Sequence, residues 1–191
     1  MYKAKNFRIR PLDEVVEDLY MAREYYKDYL VKRVFLADGD ALICKTDDLL
    51  YIMGEVKRIF PENERITMYG APKDVLLKSH EDLVRLRNAG LEMVYVGAES
   101  GDDDVLEYVK KGATHAEIAE AGKKLKAAGI KVSVTLISGL GGKKYLESHD
   151  GRISGLRKVR CLSDVRVGRF LRGESVEADG KLKNGLRFTS A

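Results

Sequence analysis

The sequence has little cysteine and no long apolar segment. Its two cysteines among 191 residues, Cys44 and Cys161, fit neither a disulfide framework nor a Cys-x-x-Cys metal clip. No apolar run approaches the ~20 residues that a membrane-spanning helix needs, and the charged, tyrosine-rich start lacks the pattern of a signal peptide. We therefore expect idle or buried thiols and a soluble, cytoplasmic protein that makes no contact with membranes.

The residues that are present suffice for one folded domain, since 45% are hydrophobic and 34% are charged. The net charge of +4 is concentrated near the end of the chain: residues 150–191 hold ten of the 34 basic residues but only five of the 30 acidic ones. Phe170 and Phe188 are the only aromatic residues in that segment. A nucleic-acid surface would place its basic residues on one face, often beside aromatics, so this pattern argues against a nucleic-acid partner.

Periodicity also changes near residue 150. Only residues 162–167 alternate regularly after that point, and they predict one strand. We therefore divide the chain into a domain over residues 1–149 and a basic, poorly patterned tail over residues 150–191. An out-of-frame segment and a genuine basic extension are both open explanations of the tail.

The first 149 residues alternate between helix and strand patterns. A helix is predicted from Pro11 to about Leu30, a buried strand over residues 34–37, a helix from Thr46 to Phe60, and a strand over residues 66–69. Such alternation predicts an α/β fold with a parallel sheet and outer helices, closed or partly closed as a (β/α) barrel.

An internal repeat with a period of 39 residues supports this fold. Residues 86–96 match residues 125–135, and each copy comprises a helix end, a glycine and a strand. Gly90 and Gly129 stand where a left-handed helix cap is needed. The helices leading into them have capping-box starts, namely Ser79 with Asp82 and Thr114 with Glu117.

Ligands of such folds bind where the strands end, and four loops follow the predicted strands. They comprise residues 38–40, 69–72, 97–101 and 138–142. Three of them place an oxygen-bearing side chain beside glycine, a combination that suits the hydroxyl and ammonium groups of a nucleoside ligand. Simple turns after strands are the alternative for each loop taken singly.

The order of these loops resembles the core of the radical S-adenosylmethionine (SAM) superfamily over residues 1–149. The segment Val-Gly-Ala-Glu-Ser-Gly at 96–101 is followed by Asp104, Leu106 and Lys-Lys-Gly-Ala-Thr at 110–114, and Leu-Ile-Ser-Gly-Leu-Gly-Gly stands at 136–142. The resemblance implies an incomplete (β/α) barrel of the radical SAM type. It also implies that the amino group of SAM meets the Asp-Gly-Asp segment, that Ser100 and Glu99 face its carboxylate and ribose, and that Ile137 and Gly139 lie near adenine. The implied SAM-binding residues are thus Asp38, Gly39, Asp40, Glu99, Ser100, Ile137 and Gly139.

The resemblance also implies a 4Fe-4S cluster, whose ligands this chain does not contain. Family members bind the cluster through a Cys-x3-Cys-x2-Cys loop after the first strand and use it to cleave SAM to a 5′-deoxyadenosyl radical. Residues 1–7 resemble the continuation after that loop, so we expect Met1 to be an internal methionine, with the first strand and the cysteines encoded before it. A rival explanation is a naturally cluster-free relative that still binds a nucleoside.

Three functions therefore remain open. The chain is a radical SAM core that is inactive without its cluster loop, a different (β/α) enzyme or nucleotide-binding module, or a non-catalytic scaffold. The substrate of such an enzyme is unknown from the sequence. Without its first strand the sheet would keep an unpaired edge, which predicts self-association.

Overall fold

The computed structural model describes residues 9–37, 40–140, 164–169 and 186–187, the last two ranges by their backbone alone. Helices and strands alternate through most of these ranges. The elements are α1 (Leu12–Tyr25), β1 (Arg33–Leu36), a 3-10 helix (Ala41–Ile43), α2 (Thr46–Ile59), β2 (Arg65–Tyr69), α3 (Pro72–Leu77), α4 (His80–Asn88), β3 (Leu91–Glu99), α5 (Asp103–Tyr108), α6 (His115–Ala127), β4 (Lys131–Ser138), β5 (Asp164–Arg169) and β6 (Leu186–Arg187).

The strands form one parallel sheet in the order β5, β4, β3, β2, β1, β6. Met68 of β2 pairs with Val94 of β3, which pairs in turn with Val132 of β4. In the described part of the chain the two outermost strands do not pair with each other, so the sheet is open. The predicted α/β fold, an incomplete barrel of parallel strands with outer helices, is confirmed.

One face of the sheet is buried and the other is partly open. Alternate residues of β1 to β4 join the same apolar core as the buried residues of the helices. The core residues on these strands include Val34, Leu36, Ile66, Met68, Val94, Val96, Val132, Val134 and Leu136. The residues between them are mostly only half-buried, so the opposite face of the sheet is the one available for a ligand.

The 39-residue repeat has the predicted structure. Gly90 (φ 112°) and Gly129 (φ 76°) both adopt the left-handed region after a helix and before a strand. Ser79 Oγ accepts from the Asp82 N–H, while Thr114 and Glu117 form a complete reciprocal capping box. These caps and glycines made α4, α6, β3 and β4 predictable from the sequence.

The predicted end of α1 at Leu30 is wrong, because the helix ends at Tyr25. Arg23 donates to the Tyr26 and Tyr29 carbonyl groups, 2.6 and 3.0 Å away, and pairs with Glu62 at 2.6 Å. Glu62 also accepts from the Val31 N–H. These contacts bind the last turn to a loop that lies 39 positions along the chain from Arg23, which helical periodicity does not reveal.

Two short strands from the segment after residue 150 complete the sheet. β5, which overlaps the predicted strand at residues 162–167, pairs with β4, and β6 pairs with β1 through Val34 and Phe35. The predicted division into residues 1–149 and 150–191 and the predicted self-association remain predictions. Within the described ranges, no helix has both the length and the apolar character needed to cross a membrane.

Candidate functional site

The carboxyl ends of β1 to β4 meet along one edge of the sheet because the strands are parallel neighbours. This edge brings together Asp40, which follows β1, the Glu99 and Ser100 pair at the end of β3, and Ile137 with Gly139 at the end of β4. Asp38 and Gly39, two further predicted ligand contacts, lie outside the described residues.

Asp40 is held in a partly buried position between two loops. It precedes the 3-10 helix, and its carboxyl group accepts from the Ala71 N–H and forms a hydrogen bond with the Asp74 carboxyl group. Burial, that hydrogen bond and the repulsion from Asp74 raise the pKa of Asp40 to about 7, against the opposing effects of the Ala71 N–H and Lys73. Asp40 therefore still holds a proton over part of the neutral range.

Glu99 ends β3 in an uncommon backbone conformation. Its φ of 63° lies in the left-handed region, and the pairing with β4 is irregular between Gly97 and Glu99. Its Oε1 accepts from Lys111 Nζ at 3.3 Å. A Cβ at Gly97 would overlap Glu99 Oε1 and lie 3.2 Å from Lys111 Nζ, so the ion pair covers the Gly97 backbone. Such conformations persist where the surroundings impose them, often at ligand sites.

Ser100 is fully buried. Its Oγ accepts from the Asp102 N–H at 3.0 Å, and Asp102 Oδ1 accepts from the Asp104 N–H to cap α5. The serine therefore shapes the turn that leads from β3 into α5. Contact between Ser100 and a ligand stays a prediction.

The end of β4 leaves space beside the backbone. Gly139 has a φ of 77°, and a Cβ built there would meet no atom of the described residues within 4 Å. Ile137, two residues earlier, is half-buried. A ligand can thus approach the backbone at this loop, as a flat base would require.

Gly70 is explained by packing, although its loop at residues 69–72 was among the four that were expected to meet a ligand. A Cβ there would lie 2.9 Å from Val94 Cγ1 and 3.1 Å from Leu42 Cδ2. Glycine at this position lets the 3-10 helix pack against β2 and β3. Close approach by a ligand is not what requires it.

Sequence reasoning missed an aromatic cluster and two partner residues. The rings of Phe35, Tyr69 and Tyr95 lie on neighbouring strands with centroids 4.9 to 6.0 Å apart. Each ring stands beside buried strand residues, so alternation along the three strands could have indicated a shared face. Asp74 and Lys111 gave no such signal, because their partners come from other elements.

The residues present do not fit a 4Fe-4S cluster. The sequence has two cysteines where three thiolates are needed, and Cys161 lies outside the described residues. Cys44 is half-buried, and burial raises the pKa of its thiol. In the ranges that the structure describes, no group of three or more His, Cys, Asp or Glu residues could hold a metal ion.

The same edge does fit the polar groups of SAM. Asp40 Oδ1 and Asp74 Oδ2 are buried without a hydrogen-bond donor from the described part of the chain, and a donor is what an ammonium group supplies. Glu99 offers acceptor oxygens for hydroxyl groups, and the open space at Gly139 admits a base. The edge is thus suited to a nucleoside that carries an amino-acid group.

Comparison with known proteins agrees with this fold. The family model of the radical SAM superfamily matches residues 2–147. The fold is similar to that of coproporphyrinogen III oxidase from Escherichia coli, a radical SAM enzyme, with a TM-score of 0.69 and 15% identity over 84% of this chain and 36% of that one. It is also similar to methylornithine synthase, with a TM-score of 0.62 and 16% identity over 87% of this chain and 46% of that one.

A third similar structure is the radical SAM methyltransferase TsrM from Kitasatospora setae, with cobalamin and a 4Fe-4S cluster bound. Its TM-score is 0.60, with 18% identity over 85% of this chain and 31% of that one. No match was found among curated proteins. The chain spans less than half the length of these three structures, and at such identities the likeness shows the fold alone. Since the family model covers residues 2–147 of 191, the chain belongs to the radical SAM superfamily.

Proposed function

We propose that this chain binds S-adenosylmethionine at the carboxyl edge of its sheet. The observation that carries the proposal is the half-buried Asp40 carboxyl group at this edge, in a chain of the radical SAM superfamily. Its Oδ1 and the neighbouring Asp74 Oδ2 have no donor among the residues that the structure describes. Asp40 would accept from the ligand's ammonium group, with Asp38 and Gly39 of the same segment beside it. Family membership and the open strand ends support this assignment.

The remaining groups of the ligand would bind along β3 and β4. Glu99 and Ser100 would face the ribose and carboxylate, and Lys111, which pairs with Glu99, provides positive charge there. Adenine would lie near Ile137 and in the space beside Gly139. This arrangement places the ligand across the ends of four neighbouring strands, from β4 through β3 and β2 to β1.

We propose binding without cleavage for the sequence as it stands. Reductive cleavage of SAM in this family requires a cluster whose three thiolate ligands are absent from this sequence. A polypeptide that also carries a Cys-x3-Cys-x2-Cys loop would be expected to generate the 5′-deoxyadenosyl radical. The absence of cysteine ligands also favours a second candidate, a cluster-free nucleoside-binding or scaffold protein.

Equilibrium dialysis with labelled SAM tests the proposal. Asp40→Asn should weaken binding by about tenfold or more, because a hydrogen bond to a charged group is worth roughly 1.5–3 kcal/mol. Asp28→Asn, an exposed aspartate near the opposite edge of the sheet, is the matched control and should leave binding unchanged. Equal affinities in the wild-type and Asp40→Asn proteins would refute the assigned role of Asp40.

Anaerobic iron-sulfur reconstitution separates the two candidates. We expect no iron-sulfur absorbance from this chain and a four-iron spectrum with SAM cleavage from a version extended by the cysteine loop. An extended protein that takes up no cluster would favour the cluster-free candidate.

A further inference from the structure

Two carboxyl groups from different elements meet beneath the carboxyl edge of the sheet. Asp40 follows β1, and Asp74 lies in the first turn of α3. Asp74 is only 5% exposed, whereas Asp40 is half-buried and reaches the edge. A hydrogen bond joins the two carboxyl groups, so Asp74 lies behind the residue proposed to meet the ligand.

One buried oxygen of each carboxyl group in this pair has no donor unless the pair holds a proton. Among the described residues, Asp40 Oδ1 and Asp74 Oδ2 are buried and have no hydrogen-bond partner. Two ionised carboxylates can only accept, so a hydrogen bond between them requires one shared proton. Two buried negative charges side by side would also repel each other strongly. Below about pH 7 the pair without ligand therefore carries one proton and a net charge of −1.

No fixed cation neutralises the pair. Within the described residues, neither Asp40 nor Asp74 forms an ion pair with lysine, arginine or histidine. Lys73 on α3 is exposed and acts on Asp40 through its charge alone. On the side of the 3-10 helix, Cys44 is the nearby titratable group, and Lys78 donates to the Cys44 carbonyl oxygen.

We propose that the ligand's ammonium group replaces the shared proton of the Asp40–Asp74 pair, and that Asp74 is a positioning residue that couples binding to the release of one proton. The proposal rests on the proposed function. When the ammonium group binds Asp40, the proton leaves to solvent and Asp40 becomes ionised. The site then holds two negative charges and one positive charge, so its net charge of −1 is unchanged.

This coupling predicts a preference for ligands that carry an ammonium group. Binding of S-adenosylhomocysteine, which has the same amino-acid group as SAM, should strengthen as the pH rises from 5 to 7. Over that range the ligand's own α-amino group, with a pKa of about 7.7–8.0, stays charged. Release of one proton limits the gain to about tenfold per pH unit. Methylthioadenosine, which lacks the amino group, should show no such gain.

Isothermal titration calorimetry of the full chain with S-adenosylhomocysteine tests the inference. Repeating the titration at pH 6 in two buffers of different ionisation enthalpy counts the protons released, and we expect close to one. Asp74→Asn should reduce this number towards zero and flatten the pH profile, because an amide can donate to Asp40 without a shared proton. Asp28→Asn is the control and should behave as the wild type does.

The possible failures are distinct. Absence of S-adenosylhomocysteine binding at every pH would overturn the proposed function itself. Binding of wild type without proton release, or an unchanged pH profile in a folded Asp74→Asn protein, would overturn the inference and leave SAM binding intact. The wild-type proton count decides the matter even if Asp74→Asn fails to fold.

Discussion

At the scale of single residues, two glycines near the strand ends perform different tasks. Gly70 is required by apolar packing, since Val94 and Leu42 leave no room for a methyl group. Gly97 is required by a polar pair, since the Glu99 and Lys111 side chains lie over its backbone. The same residue type thus supports the core at β2 and the candidate site at β3.

Alanine at these two positions should separate the two tasks. Gly70→Ala overpacks the core and should lower the free energy of unfolding by about 1–3 kcal/mol. Gly97→Ala displaces only the flexible end of Glu99, so it should leave the fold nearly as stable and reduce SAM affinity. Urea denaturation and equilibrium dialysis provide the two measurements. Equal losses of stability in both variants would contradict this distinction.

The space beside Gly139 predicts another paired result. Gly139→Ala and Gly129→Ala both force alanine to a positive φ, without a clash at either site, and each should lower stability by about 1 kcal/mol. Gly129 precedes β4 and so lies at the amino ends of the strands, whereas the candidate site lies at their carboxyl ends. Only Gly139→Ala should therefore also weaken SAM binding. Dialysis on both variants checks this, and unaltered affinity in Gly139→Ala would place adenine elsewhere.

The Asp40–Asp74 pair should also affect stability. The pKa of Asp40 rises from 3.8 to about 7 on folding, so between these pH values the folded chain holds a proton that the unfolded chain has lost. The contribution of Asp40 to the free energy of unfolding is therefore fully present below pH 4 and is lost as the pH rises towards 7. Urea denaturation across this range should show a smaller loss for Asp74→Asn than for wild type or Asp28→Asn. Identical profiles in all three proteins would contradict the raised pKa.

At the scale of elements, the end of a helix or strand was predictable where residues close to it in the chain determine that end. Gly90, Gly129 and the caps at Ser79 and Thr114 fixed the repeated helix and strand units, because caps and left-handed glycines act over a few residues. The end of α1 depends on Arg23 meeting a distant loop, and so it could not be predicted. Asp74 was missed for the same reason, since its partner lies on another loop.

The capping box of α6 predicts a measurable contribution to stability. Thr114 Oγ1 accepts from the Glu117 N–H at 3.3 Å, and Glu117 Oε2 accepts from the Thr114 N–H at 2.7 Å. Thr114→Ala removes the hydroxyl group and should lower the free energy of unfolding by about 1 kcal/mol. Thr114→Ser keeps the hydroxyl group and should lose little. Equal losses in the two variants, measured by urea denaturation, would show that the cap contributes nothing.

At the scale of the whole molecule, the open sheet follows from the alternation of helices and strands, while the positions of β5 and β6 do not. The core strands were recognisable because they are apolar runs between helices. β6 comprises only Leu186 and Arg187, which is too short for any periodicity to reveal. Its pairing with β1 is decided by which edge of the sheet is available, a property of the assembled fold.

The side of the sheet where β1 pairs with β6 leads to a prediction about self-association of the chain. β6 pairs with Val34 and Phe35 of β1 and so covers only part of the strand. Exposed strand edges can pair with other chains, so the full chain should associate increasingly with concentration, and a chain ending at residue 169 should associate more strongly because it lacks β6. Light scattering coupled to size-exclusion chromatography measures both masses. Two monodisperse monomers over the same concentration range would show that the β1 edge does not drive association.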